Sequence, residues 1–218
     1  YTFNQDGADP TFTIVLKHNI TQDTTTNNPE NVAGLSSTVN QTINYVYGSN
    51  TGKAGQTAAP TKTTAVTFTR SASYDHVTKQ VTYGAWTPAS GSFPAVTSPT
   101  IVGYTPSSTS STAVTVAPGA SNNTQTITYN ANDESAKIEY IDQTDNNSII
   151  KTDTVNGVFG QPVSYDPTSE IKALEAKGYQ LVSNGVKNNQ ITFTNGSNQV
   201  YQIVLKHGTT TETPSSNP

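Results

Sequence analysis

Two stretches of this chain are copies of one another. Residues 11–29 read TFTIVLKHNITQDTTTNNP and residues 200–218 read VYQIVLKHGTTTETPSSNP, an ungapped offset of 189 with 9 of 19 positions identical. The shared run is Ile-Val-Leu-Lys-His. The likeness extends upstream, where Tyr1-Thr2-Phe3 parallels Ile191-Thr192-Phe193 ahead of a polar turn. Solenoid repeats run about 20–50 residues, so a period this long implies complete domains in series. Residues 1–29 then read as the tail of one repeat plus its linker, and 30–218 as the next repeat. A chain that opens at Tyr1 and contains no Met reads as a piece of a longer tandem polypeptide.

Punctuation divides the repeat further. Ile20–Asn31 and Thr209–Pro218 are rich in Thr, Asn, Ser and Pro, and such segments bury too little apolar area to order themselves; both read as linkers. On that reading, Tyr1–Thr26 is dispensable to the repeat that follows. A further boundary falls in NANDES, Asn130–Ser135. The expected parts are 1–29 (tail plus linker), 30–132, 133–208 and the linker 209–218. Each domain is small, and the shorter one has modest burial available to it.

Composition selects strands. There are 38 Thr, 18 Val and 12 Ile against 5 Leu. Residues branched at Cβ suit a pleated surface, whereas helical cores lean on Leu. The absence of Cys removes disulfides, thiolate metal sites and a cysteine nucleophile. A net charge of −4 with no basic block argues against nucleic acid as a partner. No apolar run is long enough for membrane insertion by a helix.

The second domain can be followed in order. AKIEYI (Ala136–Ile141) alternates as a strand, DQTDNN is turn chemistry, and Ser148–Val155 completes a hairpin. Asp166-Pro167 offers a cap and a helix-starting proline, Glu170–Lys177 supplies helix formers, and Gly178 stops them. Strands follow at Gly178–Ser183, Thr192–Thr194 and Val200–His207. The first domain has strands at Thr42–Tyr47, Ala65–Ala72, Gln80–Trp86, Ala113–Val116 and Gln125–Tyr129. Pro94 and Pro99 interrupt Phe93–Gly103, where a helix would fall. The expectation is a β-rich α+β chain of two tandem β-grasp (ubiquitin-like) domains, elongated, with one clear helix in the second.

Particular residues also carry a family resemblance. Ala136–Tyr165, with Tyr140-Ile141-Asp142, its turn, then Gly157, Gly160 and Tyr165, resembles the MucBP (mucin-binding protein) domain. Gln41–Asn130, with TINYVYG, VTFTRSASYD, VTYGAW, SPTIVGYTP and ITYN, is similar to the domain preceding MucBP in Mub repeats, and IVLKHGTTT is typical of their ends. The resemblance implies a non-catalytic, multivalent repeat of a cell-wall-anchored adhesin on the surface of lactobacilli. Its implied partners are mucin glycans or glycoproteins, host immunoglobulins and neighbouring repeats; the alternative is a stalk repeat that projects other regions. The family supplies no fixed set of ligand residues.

The residues themselves offer few sites. No GxSxG, HExxH, GxxxxGK[ST] or GxGxxG occurs. His18 and His207 are one motif seen twice, and His76 falls in a turn. Trp86, Tyr83 and Tyr104 are the candidate ligand contacts, because flat aromatic faces suit sugars. Strand alternation from Gln80 to Trp86 puts Tyr83 and Trp86 on opposite faces, and a lone Trp is also a natural core residue. Tyr45, Tyr47, Tyr129, Tyr140 and Tyr201 read as core. Asp142, Asp145 and Asn147 offer oxygens to calcium, without EF-hand spacing, or simply form an Asx turn. No other cofactor is expected.

Overall fold

The structure, a computed structural model, describes residues 12–196 and 198–209. Its strands, in chain order, are β1 (Ile20–Asp23), β2 (Ser36–Tyr47), β3 (Thr57–Thr69), β4 (Ala72–Asp75), β5 (Val81–Tyr83), β6 (Gly91–Phe93), β7 (Tyr104–Pro106) and β8 (Val114–Val116). They continue with β9 (Asn123–Ala131), β10 (Asp133–Asp142), β11 (Ser148–Val158) and β12 (Pro162–Ser164). The α-helix α1 (Thr168–Glu175) follows, then β13 (Tyr179–Asn184), β14 (Gln190–Thr192) and β15 (Gln199–His207). The chain is thus mostly β with one α-helix among the described residues. Packing separates two compact units, and their bounds fall inside β2, β3 and β9.

One unit comprises Thr64–Pro94, Val114–Asn123 and the described part of 1–41. Its core gathers Val39, Phe68, Phe93 and Val116, with Trp86 packed against them. A second cluster joins Val32 and Leu35 to Ala72 of β4, the middle strand of the sheet β1-β4-β5. Here the sequence reading needs correction, because Ile20–Asp23 is a strand and not linker. It pairs antiparallel with β4, from Ile20 opposite Asp75 to Asp23 opposite Ala72. Asp23 is fully buried, and its carboxylate accepts from the Glu30 amide at 3.0 Å. Beyond it, the Asn28 side chain accepts from Val32 N–H and donates to Val32 C=O. Short polar side chains satisfy the local backbone here, so order is reached with little apolar burial.

The other unit comprises Thr42–Thr63, Ala95–Ala113 and the described residues from Thr124 onward. Within it, alternation along β10 buries Glu134, Ala136, Ile138 and Tyr140. Ala136, Ile138 and Tyr140 pack with Ile171 and Leu174 of α1, and with Ile191, Phe193, Ile203 and Leu205. The sheet order is β11-β10-β15-β13, with β10 parallel to β15 and both other pairings antiparallel. A hairpin, a helix crossover and a last strand parallel to the first define the β-grasp roll. Asp166 stands just before α1 and accepts from the Thr168 amide at 3.0 Å, while Gly178, at φ +99°, turns the chain out of it.

The sheet β3-β2-β9-β7 repeats this order earlier in the chain. Among the described residues, no helix crosses it. Residues 94–103 instead run irregularly, with Val96 and Ile101 packed on Ile43, Tyr45, Ile127 and Tyr129, and Tyr129 Oη donates to Pro99 C=O at 2.6 Å. Pro94 and Pro99 deny this segment the backbone donors a helix needs.

Candidate functional site

Arg70 is the single arginine of the chain. It sits in the two-residue step between β3 and β4, where Thr69 and Thr87 exchange backbone hydrogen bonds of 2.9 and 2.7 Å. That exchange draws the chain after β5 back beside β3 and brings Trp86 to the arginine. The guanidinium carbon lies 3.7 Å from the Tyr83 ring centroid and 4.4 Å from that of Trp86. Arg70 Nε donates to Gly34 C=O at 2.8 Å, and Tyr83 Oη donates to Ala33 C=O at 3.0 Å. The guanidinium is therefore held by two rings and one carbonyl, and its fork of terminal N–H donors is pre-positioned.

This geometry corrects the opposite-face expectation for Tyr83 and Trp86. Strand β5 ends at Tyr83, so the two-residue alternation no longer applies by Trp86. Neither ring is a bare sugar platform, since Arg70 covers a face of each. Trp86 is also partly core, whereas Tyr83 is 42% exposed.

Tyr104 belongs to the other compact unit. Its ring lies between Tyr47, at 4.9 Å, and Phe159, at 5.3 Å edge-on, and all three rings are in that unit. Strand geometry at β7 gives Tyr104 a packing role in this triplet.

Of the two readings offered for the turn after β10, the hydrogen bonds are those of an Asx turn. Asp142 is buried, and its Oδ1 accepts from the amides of Thr144 (2.9 Å) and Asp145 (3.3 Å). Its Oδ2 is bonded to His207 Nε2 at 2.8 Å. Burial pushes the Asp142 carboxyl up, but those amide bonds and His207 outweigh it and hold it below the usual carboxylate range. Asp145 accepts from Ser148 Oγ at 2.9 Å, and Asn147 holds a left-handed turn position at φ 58°. Both oxygens of Asp142 are thus committed to an Asx turn and a histidine. Among the described residues, no group of three or more His, Asp or Glu converges as metal ligands.

The same arrangement occurs at Asp75, the end of β4. Its Oδ1 accepts from the amides of Val77 (2.8 Å) and Thr78 (3.3 Å), and its Oδ2 is bonded to His18 Nδ1 at 2.7 Å. Burial would raise this carboxyl, yet His18 and the two amides prevail and hold it at about 2.

Comparison with known proteins places the chain. Residues 30–133 match the model of the Muc B2-like domain, and residues 134–207 match that of the mucin binding domain. The type 2 repeat of the mucus binding protein MUB from Lactobacillus reuteri is 33% identical, with TM-score 0.43, over 59% of this chain and 67% of that one. The chain belongs to the MucBP family of Mub repeats. The Mub-RV crystal structure is 35% identical, with TM-score 0.46, over 53% of this chain and 61% of that one, so the chain spans about three fifths of that relative. A mucin-binding domain from Streptococcus pneumoniae is 22% identical, with TM-score 0.41, over 52% of this chain and 97% of its own. No curated protein matches the sequence. No helix of the described repeat is long and apolar enough to cross a membrane.

Sequence reasoning passed over Arg70 and Phe159. A sole arginine one residue past a Thr-rich strand was a usable signal, since Arg stacks on aromatics more readily than Lys. Phe159 carried none, because its partner Tyr104 lies 55 positions away.

Proposed function

We propose that this Mub repeat is a non-catalytic, mucus-binding module of a bacterial surface adhesin, and that it contacts mucin glycans through Arg70, Tyr83 and Trp86. The observation that carries the reading is the guanidinium held between two rings. Mucin chains commonly end in acidic sugars, and carboxylate or sulfate groups match the planar fork of an arginine whose orientation is already paid for. The exposed side of Tyr83 adds a surface for a neighbouring sugar ring. The functional unit is taken as 30–132 together with 133–208, in a protein anchored to the cell wall by regions outside this chain.

The test is binding of sialylated, sulfated and neutral mucin oligosaccharides by calorimetry. A shallow contact of this kind implies a Kd of about 10 µM to 1 mM for one repeat. Arg70→Lys keeps the charge but loses the fork, and should weaken acidic glycans about tenfold, one charge-assisted hydrogen bond. Equal binding by Arg70→Lys, or preference for neutral glycans, defeats the assignment. Host immunoglobulins are tested in the same format.

A second reading, a stalk that projects other adhesive regions, draws support from β1. His18 corresponds to His207, the last residue of β15, and β1 begins at Ile20. One residue, Asn19, then separates the closing strand of one repeat from the first strand of the next.

A further inference from the structure

The histidine that ends the Ile-Val-Leu-Lys-His run appears twice in this chain, in two different settings. His207 is in its own domain, at the end of β15, with Nε2 on Asp142 Oδ2 at 2.8 Å. His18 is the same repeat position, 189 residues earlier, with Nδ1 on Asp75 Oδ2 at 2.7 Å. The two settings use opposite nitrogens of the ring. Both imidazoles are half-exposed, with 56% and 52% of the side chain accessible, so each leaves its other nitrogen edge open. Both aspartates are pinned by amides two and three residues on, with Oδ2 left for the histidine.

From this pair of half-sites we infer that, in the tandem protein, His207 bridges successive repeats, with Nε2 on Asp142 of its own repeat and Nδ1 on Asp75 of the following one. Two carboxylate acceptors require both ring nitrogens to carry protons, so the bridging ring is the imidazolium. A charged ring between two fixed carboxylates is a charge-assisted clamp.

Three further observations fit. The run preceding His18 is stranded: Ile14 and Leu16 are 84% and 87% exposed, whereas their counterparts Ile203 and Leu205 are fully buried in β15. His18 therefore shows the receiving half of the joint without the domain that supplies it. The backbone is held at the same place, since His76 N–H donates to Asn19 C=O at 3.0 Å and Ile20 pairs opposite Asp75. The neighbouring His76 does not compete for Asp75, because its Nε2 lies against Thr21 Oγ1 at 2.6 Å and Glu30 at 3.4 Å. On the donating side, His207 borders a surface hollow together with Lys177, Gly178, Tyr179 and Gly208. The joint is then a fixed elbow, where the sequence suggested a flexible linker. The inference rests on the tandem order and not on any glycan, so it stands or falls separately from the Arg70 assignment.

The experiment uses a two-repeat chain, residues 1–218 extended by a second copy of 30–218. The sequence lacks Cys, so Ala173→Cys in the first copy and Thr82→Cys in the second give one spin-label pair across the joint. At about pH 5.5, where imidazoles carry charge, the parent should show one narrow distance peak. Asp75→Asn in the second copy retains an oxygen for the Val77 and Thr78 amides, so the turn survives, but it removes the charge. That variant, and His207→Gln in the first copy, should broaden the peak about twofold, because the connecting residue keeps two free dihedrals. Asp75→Asn in the first copy should leave the width unchanged. Nitrogen chemical shifts give a second readout: both ring nitrogens of His207 should be hydrogen-bonded in the two-repeat chain and only Nε2 in the single chain. A broad parental distribution, a narrow one in both variants, or an unbonded Nδ1 in the two-repeat chain overturns the inference.

Discussion

Gly157 sits in β11 opposite Glu134, and its replacement by alanine sets two physical effects against each other. Its φ is not positive, so the backbone itself accepts an L-residue. Strand energetics alone favour the change: glycine loses more chain entropy on folding, and alanine should stabilise by about 0.5–1 kcal/mol. Packing says the opposite. A Cβ at this position overlaps Phe193 Cε2 and comes within 2.8 Å of Cδ2 and 2.9 Å of Cζ. Phe193 is 1% exposed, in a core with Ile191, Ile203 and Leu205 that are wholly buried, so the ring has no free direction in which to retreat. Overpacking of this kind costs about 1–3 kcal/mol, and a ring that cannot retreat puts it in the upper part of that range, about 2–3 kcal/mol, which leaves a net loss of about 1–2.5 kcal/mol. For a domain of 60–100 residues, each kcal/mol moves Tm by about 4–8 °C. Gly157→Ala should therefore lower the melting transition of this domain by about 5–15 °C in calorimetry. Phe193→Leu in the same background should recover part of the loss, with a coupling of at least about 0.5 kcal/mol. A Tm equal to or above the parent's would refute the packing argument and leave the entropy term in charge.

Two further expectations concern polar side chains. The Asp75 carboxyl is held at about 2 against an ordinary 3.8, so it contributes stability above pH 3.8 that is lost as pH falls toward 2. Tm followed through that window should show a slope that Asp75→Asn reduces but does not abolish, since Asp142 is also held low; an unchanged slope would show that the His18 and amide contacts do not matter. Tyr45 is 1% exposed and its hydroxyl has no hydrogen-bond partner among the described residues. Removing an unsatisfied buried hydroxyl relieves a desolvation cost, so Tyr45→Phe should hold or raise stability by up to about 1 kcal/mol in urea titrations. A loss of more than that would mean the hydroxyl is satisfied.

Much of this protein was decided within short windows of sequence. The alternation of Ala136–Ile141, the turn DQTDNN, the proline and glycine around α1 and the two prolines of Phe93–Gly103 each act on their own neighbours, and each element formed where those local rules placed it. The burial of Tyr45, Tyr129 and Tyr140 also followed from strand alternation, while Tyr47 and Tyr201 stay only half-buried. The repeat itself was legible because copying is a property of sequence. What sequence could not decide were outcomes set by partners far along the chain. Ile20–Asp23 has the composition of a linker and becomes a strand because β4, some fifty residues on, offers it an edge. Tyr83 and Trp86 both reach Arg70 because Thr87, beyond the end of β5, pairs with Thr69, where the alternation on which the opposite-face reading relied no longer holds. Asp142, Asp145 and Asn147 have the donors for calcium, yet β15 delivers His207 to the one oxygen the turn leaves open. In each case local chemistry left two options open, and a contact formed only on folding chose between them.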